Sequence, residues 1–288
     1  MIMATLSKRW IINFILFFLI ICLSYIGHKY DVKPGYQVES RITTLEASSI
    51  QTVIMQTRDN RILMQRSDTG WNMIEPVATP ANSINVERII SIVNQNTESR
   101  LPVEEADLAQ FGLDQPRALL RLNDTDIHFG TTNNIGNRRY IRIFSSIYLI
   151  PDNQLPFMQE GPIGFVDRRL LPASYPLEQL DLPGMSITRN TNMAWQSDKN
   201  RASPDQVNQL IDHWRTLDPV RIKAYESTVT PKSSIKAHLG NGTTLVYYLL
   251  TIQPELIIAR PDIRIQYHFK KDNYYQLLDI SNDEIQTD

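Results

Sequence analysis

Apolar and polar positions follow two regimes along this chain. From Trp10 to Gly27 the sequence reads WIINFILFFLIICLSYIG, without a charge. Beyond it, apolar positions come in short alternating runs broken by turn residues and by two amphipathic stretches. The first regime has no polar face, and at about 1.5 Å per residue it reaches roughly 27 Å, close to the hydrocarbon thickness of a bilayer. Trp10 and Tyr25 or Tyr30 stand where interfacial anchors belong. A transmembrane helix over residues 10–27 is expected. A cleaved signal peptide would rest on Cys22 and Ser24 as its small residues, and a lipoprotein would need a small residue where Ile21 precedes Cys22. Both alternatives fit less well than an uncleaved anchor. Lys8 and Arg9 favour a cytoplasmic segment 1–9 and an exported body.

The second regime reads as a spacer over 28–48, then strands and helices in an order that occurs twice. Ile50, Val53 and Met55 lead into a hairpin with Ile62-Leu63-Met64 across an Asp59-Asn60 turn, and a third strand begins at Asp68-Thr69-Gly70-Trp71. After Pro80, Ile84, Ile89, Ile90, Ile92 and Val93 form one side of a helix. Later a strand near Ser186–Arg189 precedes one ending on Trp195. Then comes a helix carrying Val207, Leu210, Ile211, Trp214 and Leu217, started by Ser203 as N-cap, Pro204 and the capping-box residue Gln206.

Further strands are expected after each helix. In the first half these are 118–122, 127–129, 140–143 and 147–150. In the second they are 234–239, 243–250, 255–259, 264–269 and 274–280, with Gly240-Asn241-Gly242 as a tight hairpin turn. The spacing from Trp71 to Pro80 equals that from Trp195 to Pro204. The expected fold class is therefore α+β: an N-terminal transmembrane helix followed by two related lobes, 49–172 and 173–288, joined near 172–183. Each lobe has antiparallel strands and one main amphipathic helix, an internal duplication.

Charge and composition narrow the partners. Three of the 29 basic residues, Lys8, Arg9 and Lys29, precede Tyr30, and all 31 acidic residues follow it, so the body carries a formal charge of −5. That balance lacks the electrostatic footprint of nucleic-acid binding, and none is expected. Cys22 is the only cysteine, which excludes disulfide, thiolate-zinc and thiol-nucleophile chemistry in the body.

A resemblance emerges from the first lobe. Gly70-Trp71, Pro76, Pro80-Ala81, the helix, Ala106-Asp107-Leu108, Phe111-Gly112-Leu113-Asp114-Gln115-Pro116, Phe129-Gly130, Tyr140 and Ile147-Tyr148-Leu149 resemble the DUF4340 family over roughly residues 45–172. The resemblance implies a single-pass protein of the bacterial inner membrane with its body in the periplasm or extracytoplasmic space, and no assigned activity. It also implies a partner class, membrane proteins such as the subunits of ABC-type transport systems related to gliding-motility components. The second lobe carries a weaker echo of the resemblance, in which the Gly-Leu-Asp-x-Pro segment has no clear counterpart. Physically, Phe111–Pro116 reads as a helix stop: Gly112 accepts the left-handed conformation and Pro116 forbids continuation.

Chemistry-bearing patterns are sparse. His28, His128, His213, His238 and His268 show no metal-ligand spacing, and no nucleophile elbow, phosphate loop or dinucleotide fingerprint is present. Glu104, Glu105 and Asp107 read as acidic residues favoured at a helix start. No catalytic, cofactor-binding or metal residue is assigned, and no cofactor is expected. Arg138, Tyr140 and Arg142 share one strand face, opposite Arg139, Ile141 and Ile143. They form either a solvated face or a candidate interaction patch for an anionic partner, headgroup or glycan.

The expected function is that of a non-enzymatic, membrane-anchored accessory or scaffold protein of the cell envelope. The alternative is a module that binds an envelope lipid or polysaccharide in the cleft between its lobes. A hydrolase with an unfamiliar site would need Asp, Glu and His gathered in one pocket.

Overall fold

A computed structural model describes residues 10, 13, 16–21 and 40–280, apart from 98, 134–135 and 200–201. Of the expected membrane helix, Trp10, Asn13 and residues 16–21 are described; they are helical and exposed. The rest of 10–27, the segment 1–9 and most of the spacer lie outside the described residues. Among the described residues no helix is long and apolar enough to cross a membrane. The chain divides into two compact units, Met1–Ser40 and Arg41–Asp288. The second unit thus takes in the end of the stretch read as spacer, where Ile42 is buried.

Period-2 burial builds the first sheet. In β1 (Thr52–Thr57) Val53 and Met55 point inward, and in β2 (Arg61–Ser67) Ile62 and Met64 do. β3 (Gly70–Glu75) adds Trp71 and Met73, and β4 (Thr79–Pro80) ends the meander. α1 (Ser83–Ile90) follows, then β5 (Arg100–Pro102) and a second meander of β6 (Ala118–Leu122), β7 (Thr125–Asn133), β8 (Arg138–Ile143) and β9 (Ser146–Pro151). A short α2 (Leu155–Gln159) closes this half. The strands pair antiparallel in the order β4-β3-β2-β1-β6-β7-β8-β9-β5.

The second sheet repeats that order. β10 (Leu177–Leu182), β11 (Met185–Arg189) and β12 (Trp195–Ser197) form a meander, followed by α3 (Pro204–Thr216) and β13 (Arg221–Ala224). Then come β14 (Ser233–Leu239), β15 (Thr244–Thr251), β16 (Glu255–Arg260), β17 (Ile265–Lys270) and the short α4 (Asn273–Leu277). Their order is β12-β11-β10-β14-β15-β16-β17-β13. Apart from the two-residue β4, every strand of the first of these two sheets has a partner at the same place in the second, and Ser40–Arg41 pairs with Asn96–Thr97 in a small separate sheet.

Side chains repeat where packing demands it. Counted from the caps Asn82 and Ser203, the fourth, seventh, eighth and eleventh residues are Val86, Ile89, Ile90 and Val93 in one half, and Val207, Leu210, Ile211 and Trp214 in the other; all eight are buried. Each half also stacks an arginine on a tryptophan opposite it in the ladder, Arg66 over Trp71 at 5.4 Å and Arg189 over Trp195 at 5.0 Å. One hydrophobic cluster runs through both halves.

Four expectations are corrected. Ile84 is 80% exposed, because it stands about 140° around the helix from Ile89 and Val86 takes the inward place. Trp195 begins β12 and does not end it. The stretch read as the joint, 172–183, contains β10, whose alternation is broken by an irregularity between Leu177 and Gln179. Residues 274–280 are not a strand: 273–277 form α4. The aromatic pair Tyr274-Tyr275 favours strand by propensity, but the Leu277 carbonyl accepts the Trp214 indole N–H at 2.7 Å and tertiary packing prevails.

Candidate functional site

The β8 residues alternate as expected, with Arg139, Ile141 and Ile143 buried. Arg139 is charged yet only 7% exposed, and Asp152 compensates it at 2.6 Å. Arg138, Tyr140 and Arg142 lie on the other face but are engaged differently. The Tyr140 ring packs edge-on against Phe111, centroids 4.8 Å apart, and its hydroxyl accepts from the Asn133 amide at 3.2 Å. Arg138 stands opposite Asn133 at the strand end, and Arg142 stands opposite His128.

From Arg142 a row of outward positions crosses neighbouring strands. His128 pairs with Leu119, and Leu119 with Gln56. At the end of the same β1–β6 ladder, Thr57 faces Ala118, which brings Arg58 and Arg117 together just beyond it. Gln56, Arg58, Gln115, Arg117, Leu119 and His128 line a groove of about 640 Å³. Burial, and then the Arg142 charge, hold the His128 imidazole below its ordinary pKa, with Asp126 opposing. Asp126 is committed to Arg121, whose Nη2 donates to it at 2.8 Å; this bond keeps its carboxyl below the usual range. His128 was legible as a candidate only by residue type. Arg58 and Arg117 carried no signal, since a non-local ladder brings them together.

The Phe111–Pro116 segment has a structural task. Asp107 caps a 3₁₀ turn at Leu108–Phe111 by accepting from the Ala109 N–H, and Gly112 ends it at φ 62°. The turn docks on β7: Thr131 Oγ1 donates to the Phe111 carbonyl at 3.0 Å, and a Cβ on Gly130 would lie 2.2 Å from that same oxygen. Close backbone approach demands the glycine.

On the second sheet the outward polar groups tie strands together. Asp181 accepts from Gln179 and Ser186, each at 2.7 Å, and meets His238 Nε2 at 3.0 Å, while His238 Nδ1 meets Thr244 at 2.9 Å. Desolvation raises the Asp181 pKa, but these hydrogen bonds outweigh it and the net shift is down. The chain spans β11, β10, β14 and β15. Further along, Glu255 joins His268 at 3.0 Å and Arg221. The His268 contact, followed by Arg221, lowers the Glu255 pKa. Among the described residues, no group of three His, Cys, Asp or Glu could hold a metal ion.

A second groove, also about 640 Å³, lies between the halves. Asn72 and Thr79 border it from the first sheet, and Asn241, Thr243, Arg260 and Asp262 from the second. Burial works against the Arg260 charge, but Asp262, at 2.6 Å, keeps the guanidinium protonated. Tyr267 beside it is pushed up to about 12 by burial.

The geometry defines a class: an α+β protein of two antiparallel sheets with the same strand order, each covered by one main helix. The family model for a domain of unknown function, DUF4340, matches residues 71–250, and the chain belongs to that family. The match runs from β3 into β15 and so extends through both sheets, taking in the second lobe where the resemblance was weaker. No curated protein and no solved structure matches the chain.

Proposed function

We propose that the protein is a non-enzymatic accessory or scaffold protein of the cell envelope, anchored by residues 10–27, with its body on the extracytoplasmic side of the inner membrane. The observation that carries this reading is what the two halves have in common. Strand order and the inward positions of α1 and α3 repeat, whereas polar residues at matching places differ: Arg121 with Asp126 in one sheet, His238 with Thr244 in the other. A duplication that keeps shape and not side-chain chemistry suits a body that presents surfaces. The exposed apolar helical residues 16–21 support anchoring. The proposed partner is a multi-spanning membrane protein, with ABC-type transport subunits the class that the family resemblance brings in.

Affinity capture of the full chain from detergent-solubilised membranes tests the proposal. A multi-spanning partner should be recovered repeatedly; repeated recovery of none would overturn it.

The groove between the halves favours a second reading, an envelope ligand-binding module. Its amides, hydroxyls and the Arg260–Asp262 pair suit a polyhydroxylated ligand, and Met73, Ile74, Leu239 and Leu245 add apolar walls that an acyl chain could use. Ligand-dependent thermal stabilisation should then appear with oligosaccharides; a flat response across a broad panel would end this reading.

A further inference from the structure

Most arginines of the body are engaged. Arg41, Arg61, Arg66, Arg121, Arg139 and Arg169 each hold a carboxylate on the first half or just before it. Arg58 and Arg117 differ: among the described residues their guanidinium groups make no hydrogen bond, ion pair or ring contact. They flank the last pair of the β1–β6 ladder, Thr57 with Ala118, and line the same groove, and Arg142 adds a third charge beyond His128.

Two unneutralised guanidinium groups lining one groove repel each other, a cost that solvent reduces but a bound anion would remove. The groove that they line contains no Asp or Glu. Asp126, close to His128, already serves Arg121, and Asp59 and Asp114 are exposed neighbours in sequence that do not line the groove. Gln56 and Gln115 add amide donors, and the ladders of β1, β6 and β7 hold the site on rigid elements. We propose that this groove is an anion site that takes a phosphate ester through Arg58 and Arg117. Planar guanidinium forks match phosphate oxygens two at a time, and the anionic charge of a phosphate ester answers a pair of arginines. The site lies on the outer side of the first sheet, apart from the groove between the halves, so neither depends on the other.

Calorimetric titration of the full-length protein in a zwitterionic detergent, at constant ionic strength, tests the inference. The probes are inorganic phosphate, glycerol phosphate and a short-chain phosphatidylglycerol, with sodium chloride as control. Saturable binding of the phosphate probes is expected. Arg58→Ala and Arg117→Ala should each weaken it about tenfold or more. Lys236→Ala, which removes one exposed charge from the second sheet, should leave it unchanged. Because Arg58 and Arg117 are exposed and unpartnered, both variants should keep the parent melting temperature, so a loss reports the contact and not unfolding. Phosphatidylglycerol binding about tenfold tighter than glycerol phosphate assigns a lipid headgroup; equal binding assigns a small soluble phosphate. No saturable binding, an equal response to chloride, or unchanged binding by both arginine variants would overturn the proposal.

Discussion

The outer faces of the two sheets solve the same problem in different ways. On the second sheet each outward histidine lies against a carboxylate, His238 on Asp181 and His268 on Glu255, and the links run across neighbouring strands. On the first sheet His128 lies opposite Arg142, and Arg58 and Arg117 face the groove without partners. The inner faces are alike, with buried aliphatic and aromatic residues under one main helix. Shared topology therefore fixes the core and leaves the outer face free. A closed polar network ties strands together, whereas an open cationic one leaves room for a ligand.

The largest test concerns the likeness of the two inner faces. Phe129→Ala in the first half and Trp214→Ala in the second should each cost about 3–5 kcal/mol. Since one cluster runs through both halves, each variant should lower a single thermal transition of the whole body. Separate transitions by calorimetry would divide the body in two and break the comparison.

Next in size is Gly130→Ala. Its Cβ meets a backbone carbonyl that cannot move away alone, so about 1–3 kcal/mol should be lost, measured by denaturant midpoint. The tight approach of the 3₁₀ turn to β7 belongs to the first half alone, and a neutral result would show that the turn can detach.

Asp181→Asn probes the closed network. It should cost about 1 kcal/mol at neutral pH. The folded carboxyl titrates below its ordinary value of 3.8, so its contribution is present above that value and is lost as pH falls through the lower folded value. The gap in melting temperature between parent and variant should close on acidification; a gap independent of pH would contradict the role given to the carboxylate.

The smallest effect belongs to the open face. The imidazole of His128 should titrate below 6.5 by NMR, because burial and then Arg142 disfavour its charge. Arg142→Ala should move the midpoint up without restoring it fully. An unmoved midpoint would leave burial as the whole cause.

Much of the fold was legible where its signals are local. The hairpins at 58–60 and 240–243 and the capping box at Ser203 announce themselves within a few residues, and all are present. Elements whose form depends on remote partners were not. β10 hides behind an irregular alternation, β5 and β13 are short edge strands, and α4 forms against the indole of Trp214. The candidate patch shows the same division. Period 2 put Arg138, Tyr140 and Arg142 on one face, yet it could not show that Tyr140 is taken up by Phe111.

By itself, the amino-acid sequence determined the repeating order of runs, the helix starts, the left-handed stop at Gly112 and the family. Each depends on backbone preference or on side-chain spacing within one element. Only the tertiary structure decided which strands share a ladder, and with that which charges meet. The β1–β6 pairing joins residues some sixty positions apart, and it alone brings Arg58 beside Arg117. Register between distant strands is set by the packing of the whole inner face, which no local window contains.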